Sequence, residues 1–162
     1  MIRDYQAICK TWFPKGQQRI IPTYGKHEGV KLLGAINYET GNVYCEEHSK
    51  YNAVAFQEFL ESILKQYPIG KIVMILDNSR VHHAKLLEQF LSENAARFTL
   101  VFLPPYSPKM NIIEGLWGWM KNEVINNAFF SNVKEIKTSV QWFINWINQT
   151  PKTVIDRLCV NM

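Results

Sequence analysis

The run Ile72 to Leu76 reads Ile-Val-Met-Ile-Leu, apolar at every position. A half-buried strand alternates apolar and polar residues, so an unbroken run predicts a strand covered on both faces. Phe98 to Leu103, apolar except for Thr99, reads as a second buried strand, and Pro104-Pro105 forbids its continuation. Between them, Val81 to Ala96 has helical spacing with Leu86, Leu87, Phe90 and Leu91 inward. Strand, helix and strand in that order imply a parallel pair joined by a right-handed crossover. Ligands of open α/β sheets bind beyond the carboxyl ends of the strands, and the residue there is Asp77.

The flanking segments supply layers around this unit. Val30 to Tyr38 and Val43 to Glu47 form a hairpin around Glu39-Thr40-Gly41-Asn42, where Gly41 is free to take positive φ. Asn52 to Tyr67 is a helix with Val54, Phe56, Phe59, Leu60, Ile63 and Leu64 at spacings of three and four, stopped by Pro68-Ile69-Gly70. Asn111 to Ile125 is a third helix. Val133 to Asn148 is a last long one, with Ile136, Val140, Phe143, Ile144 and Ile147 on one face. Pro151 ends it, and Thr153 to Cys159 adds a short helical turn. Near the start, Pro14-Lys15-Gly16 is a turn and Arg19-Ile20-Ile21-Pro22 a short strand. With no repeat or linker, residues 1–162 read as one mixed α/β domain, hairpin in front and helices behind.

Composition narrows the partners. At 47% apolar and 20% charged the chain is globular. No apolar run reaches the roughly 18 residues of a membrane helix. The net charge of +4 suits a polyanion. Lys10, Lys15, Arg19, Lys26 and Lys31 make the early part the most basic, as a phosphate-contacting flap or a solvated face. Cys9, Cys45 and Cys159 are scattered, as expected of reduced thiols in a cytosolic protein.

Two carboxylates stand out, each with an ordinary alternative. Asp77-Asn78 can simply begin a turn. Asn111-Ile112-Ile113-Glu114 matches a capping box, worth on the order of 1 kcal/mol, and the helix dipole favours an acid there. The segment between the two acids is one helix and one strand, a unit able to return the helix start to the strand end. Gly115 and Gly118 are poor helix formers and suggest close approach by another backbone or a ligand. Lys121, two turns past Glu114, is an ordinary solvated lysine or one placed to reach a phosphate. His82-His83 lacks partners at metal-ligand spacing, which speaks against zinc; one of the pair could touch DNA or orient Asp77.

The segments LDNSRVHH, FLPPYSP and NIIEGLWGWMK, in this order, resemble the DDE transposases of the mariner superfamily, in particular the bacterial insertion-sequence branch. The resemblance extends to the TWFPKGQ turn and the Gly-Ala-Ile-Asn-Tyr-Glu-Thr-Gly hairpin. It implies an RNase H-like fold, a mixed sheet flanked by helices. It also implies an enzyme in which three acids hold two Mg²⁺ ions, Mn²⁺ able to substitute, for DNA strand cleavage and strand transfer. The second and third acids fall on Asp77 and Glu114, as catalytic and metal-binding residues. Lys109, Lys121, His82 and Arg19 are the expected DNA contacts. The partners would be transposon ends and target DNA, with a homo-oligomer as the active form, in the bacterial cytoplasm at the nucleoid and away from membranes.

The family's first acid ends the first strand, usually as Asp-Glu, just ahead of a segment like residues 1–12. Asp4 lies near that place but follows no apolar strand, and is not assigned the role. The expectation is an N-terminally truncated catalytic domain, first strand missing, whose neighbouring strand edges are left unpaired and which alone binds metal weakly and cleaves DNA poorly or not at all. The alternatives are a non-catalytic DNA-binding or dimerising remnant, and an RNase H-like nuclease without strand joining.

Overall fold

The computed structural model describes residues 2–3, 8–17, 20–22, 29–105, 107 and 110–159. The described strands form two sheets. In one, β1 (Ile2–Arg3) and β3 (Val43–His48) flank β2 (Gly29–Ile36), both antiparallel to it. In the other, β4 (Ile72–Leu76) pairs in parallel with β5 (Phe98–Phe102), from Ile72 opposite Phe98 to Leu76 opposite Phe102. Helices α1 (Ala53–Gln66), α2 (Leu86–Glu93), α3 (Ile112–Met120), α4 (Val133–Gln149) and α5 (Pro151–Leu158) complete the mixed α/β fold. Among the described residues, no helix is long and apolar enough to cross a membrane.

The hairpin turn forms because Asn37 folds over it. Its side-chain oxygen accepts from the backbone N–H groups of Glu39 and Thr40, and Gly41 takes φ 77°. Gly41 is required on a second ground, since a Cβ there would lie 2.1 Å from the Pro151 carbonyl oxygen.

Two apolar cores lie on opposite sides of this hairpin. The first collects Val30 and Val43 with Leu116, Trp119 and Met120 of α3, Ile136, Phe143 and Ile147 of α4, and Val154 of α5. Gly34 lets the Trp117 ring lie against β2, where a Cβ would come within 2.7 Å of it. The Asn148 side chain pairs with Val43 as a strand would, accepting from its N–H and donating to its carbonyl, both at 2.8 Å. The second core collects Leu33 with Phe56, Phe59, Leu60 and Ile63 of α1, Leu76, Leu87, Phe90 and Phe98. Asn52 caps α1, its side chain accepting from Ala55 N–H at 3.0 Å.

Several expectations need correction. β4 and β5 are covered on one face only: Val73, Ile75 and Val101 are 57%, 61% and 44% exposed. The helix expected over 81–96 splits into a 3-10 turn, Arg80–His83, and the shorter α2, because Ala84 adopts extended backbone. That break turns Leu86 outward, half exposed, and Val54 of α1 likewise faces solvent. The third helix changes to a π-helical turn at Lys121–Ile125. Pro151 opens α5 at its first turn, where a missing N–H costs nothing. Residues 20–22 have no regular structure, and Arg19 lies outside the described residues.

Candidate active site

The end of β4 is pinned from three sides. Leu103 N–H donates to the Leu76 carbonyl at 2.8 Å, continuing the ladder one step past the strands. The Asn78 side-chain amide donates to the Leu103 carbonyl at 2.6 Å. His83 Nε2 lies 3.1 Å from Asn78 Oδ1, and its ring stacks on Phe102 with centroids 4.3 Å apart. The backbone leaving β4 is thereby held to the backbone leaving β5.

Asp77 projects from this pinned end, its side chain 54% exposed. Its Oδ1 accepts from Ser79 N–H at 3.1 Å, the turn expected of Asp-Asn. The 3-10 turn then folds the chain back so that His82 Nδ1 sits 3.0 Å from the Asp77 carbonyl oxygen and 3.1 Å from Oδ1. The His82 ring, with its side chain only 9% exposed, packs on Phe56 at 4.4 Å between centroids. Its Nε2 faces the Tyr51 hydroxyl at 3.4 Å.

Glu114 stands in the first turn of α3, exposed, with no hydrogen bond or ion pair from its carboxylate to a described residue. Asn111 takes the N-cap position in extended conformation, but its side chain makes no capping bond. The expected capping box is therefore not formed: only the Asn111 backbone carbonyl accepts from Glu114 N–H, at 3.0 Å.

Both acids are felt at one point. Burial raises the Tyr51 phenol above its ordinary value, and the charges of Asp77 and Glu114 raise it further, against a lowering hydrogen bond with the Ser79 side chain. Tyr51 is the residue that sequence reasoning missed. It precedes the Asn52 cap in a stretch with no motif, so only the folded chain reveals it. Among the described residues no three His, Cys, Asp or Glu side chains come together as a metal cluster.

The remaining residues distribute as follows. Lys121 is exposed at the start of the π-helical turn, with no ion pair among the described residues. Lys109, like Arg19 and Asp4, lies outside the described residues, as does most of the Tyr-Ser-Pro-Lys connector. A Cβ on Gly115 would come within 3.0 Å of the Leu158 side chain of α5, whereas a Cβ on Gly118 would meet nothing within 4 Å among the described residues.

Known proteins resemble this one in sequence and in fold. The insertion element IS630 uncharacterized 39 kDa protein of Shigella sonnei is 28% identical over 145 residues, 89% of this chain and 42% of that protein. The uncharacterized protein y4pE/y4sA of Sinorhizobium fredii is 34% identical over 120 residues, 74% of this chain and 73% of that one. The crystal structure of the Mos1 Strand Transfer Complex matches with a TM-score of 0.63 at 15% identity, over 96% of this chain and 51% of that chain. The Mos1 mariner paired end complex with Mn matches with a TM-score of 0.63 at 14% identity, over 98% and 51%. This chain thus spans about half the length of the insertion-element and Mos1 proteins. The structural likeness shows the fold, which is RNase H-like. The family model described as DDE superfamily endonuclease matches residues 1–137, and the chain belongs to that family.

Proposed function

We propose that this chain is a transposase catalytic domain acting on DNA in a metal-dependent way, with Asp77 and Glu114 as the metal ligands and catalytic acids. The observation carrying the reading is that the charges of both acids, one ending β4 and one opening α3, act on the same Tyr51 hydroxyl. The donor set suits the metal. Mg²⁺ keeps several waters and takes one or two carboxylates plus substrate phosphates. Asp77 and Glu114 are solvent-facing oxygen donors, and neither is committed to a Lys or Arg among the described residues. A pair of such ions, Mg²⁺ or Mn²⁺, would stabilise the attacking and leaving oxygens of an in-line displacement.

The chain's own residues would bind and orient. Glu114 meets solvent with no competing partner among the described residues. Lys121, with Lys109 and Arg19, would draw the phosphate backbone. Both His82 nitrogens are engaged within the protein, so its contribution to DNA would pass through Asp77. The likeness to Mos1, solved as a paired-end complex with left transposon end, supports transposon ends as the DNA; we extend the reading to target DNA and to a homo-oligomer as the active form. We extend the reading to action at the nucleoid in the bacterial cytoplasm.

The test is Mn²⁺ binding to the whole chain, followed by loss of the free-ion electron paramagnetic resonance signal. Asp77→Ala and Glu114→Ala are each expected to weaken binding by on the order of 10-fold or more. Unchanged affinity in either overturns the reading. DNA affinity should fall steeply with added salt, because phosphate contacts release counterions. In strand-cleavage assays, Asp77→Ala should abolish nicking and keep DNA affinity. DNA binding with Mn²⁺ affinity unchanged in Asp77→Ala would mark a non-catalytic DNA-binding protein instead.

A further inference from the structure

We propose that His82 is a positioning residue for Asp77: it holds the carboxylate by Oδ1 and leaves Oδ2 to face the ligand, while Tyr51 fixes the imidazole tautomer this requires. The inference rests on the reading of Asp77 as a metal ligand.

The tautomer follows from what the partners can do. The Asp77 carbonyl oxygen can only accept, so His82 Nδ1, 3.0 Å away, carries the proton. That N–H is shared with Oδ1 at 3.1 Å. In the neutral ring Nε2 is then the acceptor, and the Tyr51 hydroxyl 3.4 Å away takes the part of donor. His83 takes the opposite form. Asn78 donates its amide to the Leu103 carbonyl, so its Oδ1 faces His83 as an acceptor and His83 Nε2 is protonated. Adjacent histidines thus divide two tasks, one holding Asp77 and the other holding Asn78 to the end of β5.

The geometry restricts Asp77 strongly. The torsion that orients a free aspartate carboxylate is broad and roughly two-fold. Here Oδ1 receives two N–H groups, from Ser79 and His82, and the His82 ring is itself set by packing on Phe56. Such outer partners of a metal ligand are typically worth 10–100-fold in affinity or activity. Because Ser79 N–H stays in place without His82, the loss should sit near the lower end.

The experiment compares Mn²⁺ affinity of the whole chain in the wild type, Asp77→Ala, His82→Phe, His82→Asn and Tyr51→Phe. His82→Phe keeps an aromatic ring on Phe56 and removes the donor; His82→Asn restores an N–H near the place of Nδ1. The expected result is about 10-fold weaker binding in His82→Phe, recovery to within about threefold of wild type in His82→Asn, and an intermediate loss in Tyr51→Phe. Wild-type affinity in His82→Phe, with Asp77→Ala impaired, overturns the inference and leaves the metal reading standing. Equal losses in His82→Phe and His82→Asn overturn it in favour of packing alone. Wild-type affinity in Asp77→Ala overturns both. Should His82→Phe fail to fold, long-range proton–nitrogen spectra of the wild-type chain decide the matter. His82 protonated at Nδ1 supports the inference, and protonation at Nε2 alone sinks it.

Discussion

β2 and β4 exchange the surroundings that their sequences suggest. β4 is wholly apolar, yet Val73 and Ile75 face solvent. β2 contains Lys31 and Gly34 and reads as an ordinary hairpin strand, yet both its faces are covered. Val30, Leu32 and Ile36 enter the first core, and Leu33 and Ala35 the second. Lys31 escapes by donating its amine to the Ser49 carbonyl at 2.7 Å. A strand's burial is therefore set by what the rest of the chain lays over it. The apolar run measures only how much cover it could accept.

The predictions test that contrast, in descending order. Chemical reactivity should show the widest gap. Burial, helped by the charge of Glu46, pushes the Cys45 thiol of β3 up to about 12. Its thiolate at pH 8 is then on the order of a thousandfold scarcer than that of an ordinary thiol. Alkylation followed by mass spectrometry should mark the exposed Cys9 first and Cys45 last; equal rates would mean that the hairpin's cover opens. Phe143→Ala, at the centre of the first core with Trp119 and Trp146 around it, should cost about 3–5 kcal/mol in urea unfolding. Gly34→Ala should cost about 1–3 kcal/mol, since its Cβ would press on Trp117. Asn52→Ala should remove about 1 kcal/mol by uncapping α1. Ile75→Thr, on the open face of β4, should stay within about 0.5 kcal/mol. A loss above about 1 kcal/mol there would show that something covers this face in solution, and the contrast would fail.

What was legible in the sequence was whatever local spacing determines. α1 and α4 lie where their apolar periodicity puts them, and β4 and β5 fall on their apolar runs. The hairpin follows from its Asn and Gly turn chemistry. Illegible features depend on distant partners. The break between His83 and α2 arises where His82 turns to Asp77 and His83 to Asn78, and a periodic helix reading cannot anticipate it. Nothing in Asn111 to Glu114 tells that the cap side chain stays unused. Pro151 read as a terminator because a proline ends one helix and begins another by the same chemistry, and only Thr150, breaking the backbone between α4 and α5, separates the cases. Around the candidate site, Asp77 and Glu114 could be singled out from motif and position. Tyr51 could not, because its proximity to them exists only in three dimensions.

Helix α5 has a consequence of its own. Its first residue, Pro151, abuts Gly41 at the tip of the hairpin, and its last, Leu158, abuts Gly115 beside Glu114. The short helix works as a spacer bar wedged between a distant turn and the root of an acidic side chain. Lengthening the bar by a residue, or thickening its contact at Gly41, would press on α3 and shift Glu114 from a distance. Selection on the acid's placement would then reach as far as Gly41, at the far end of the helix.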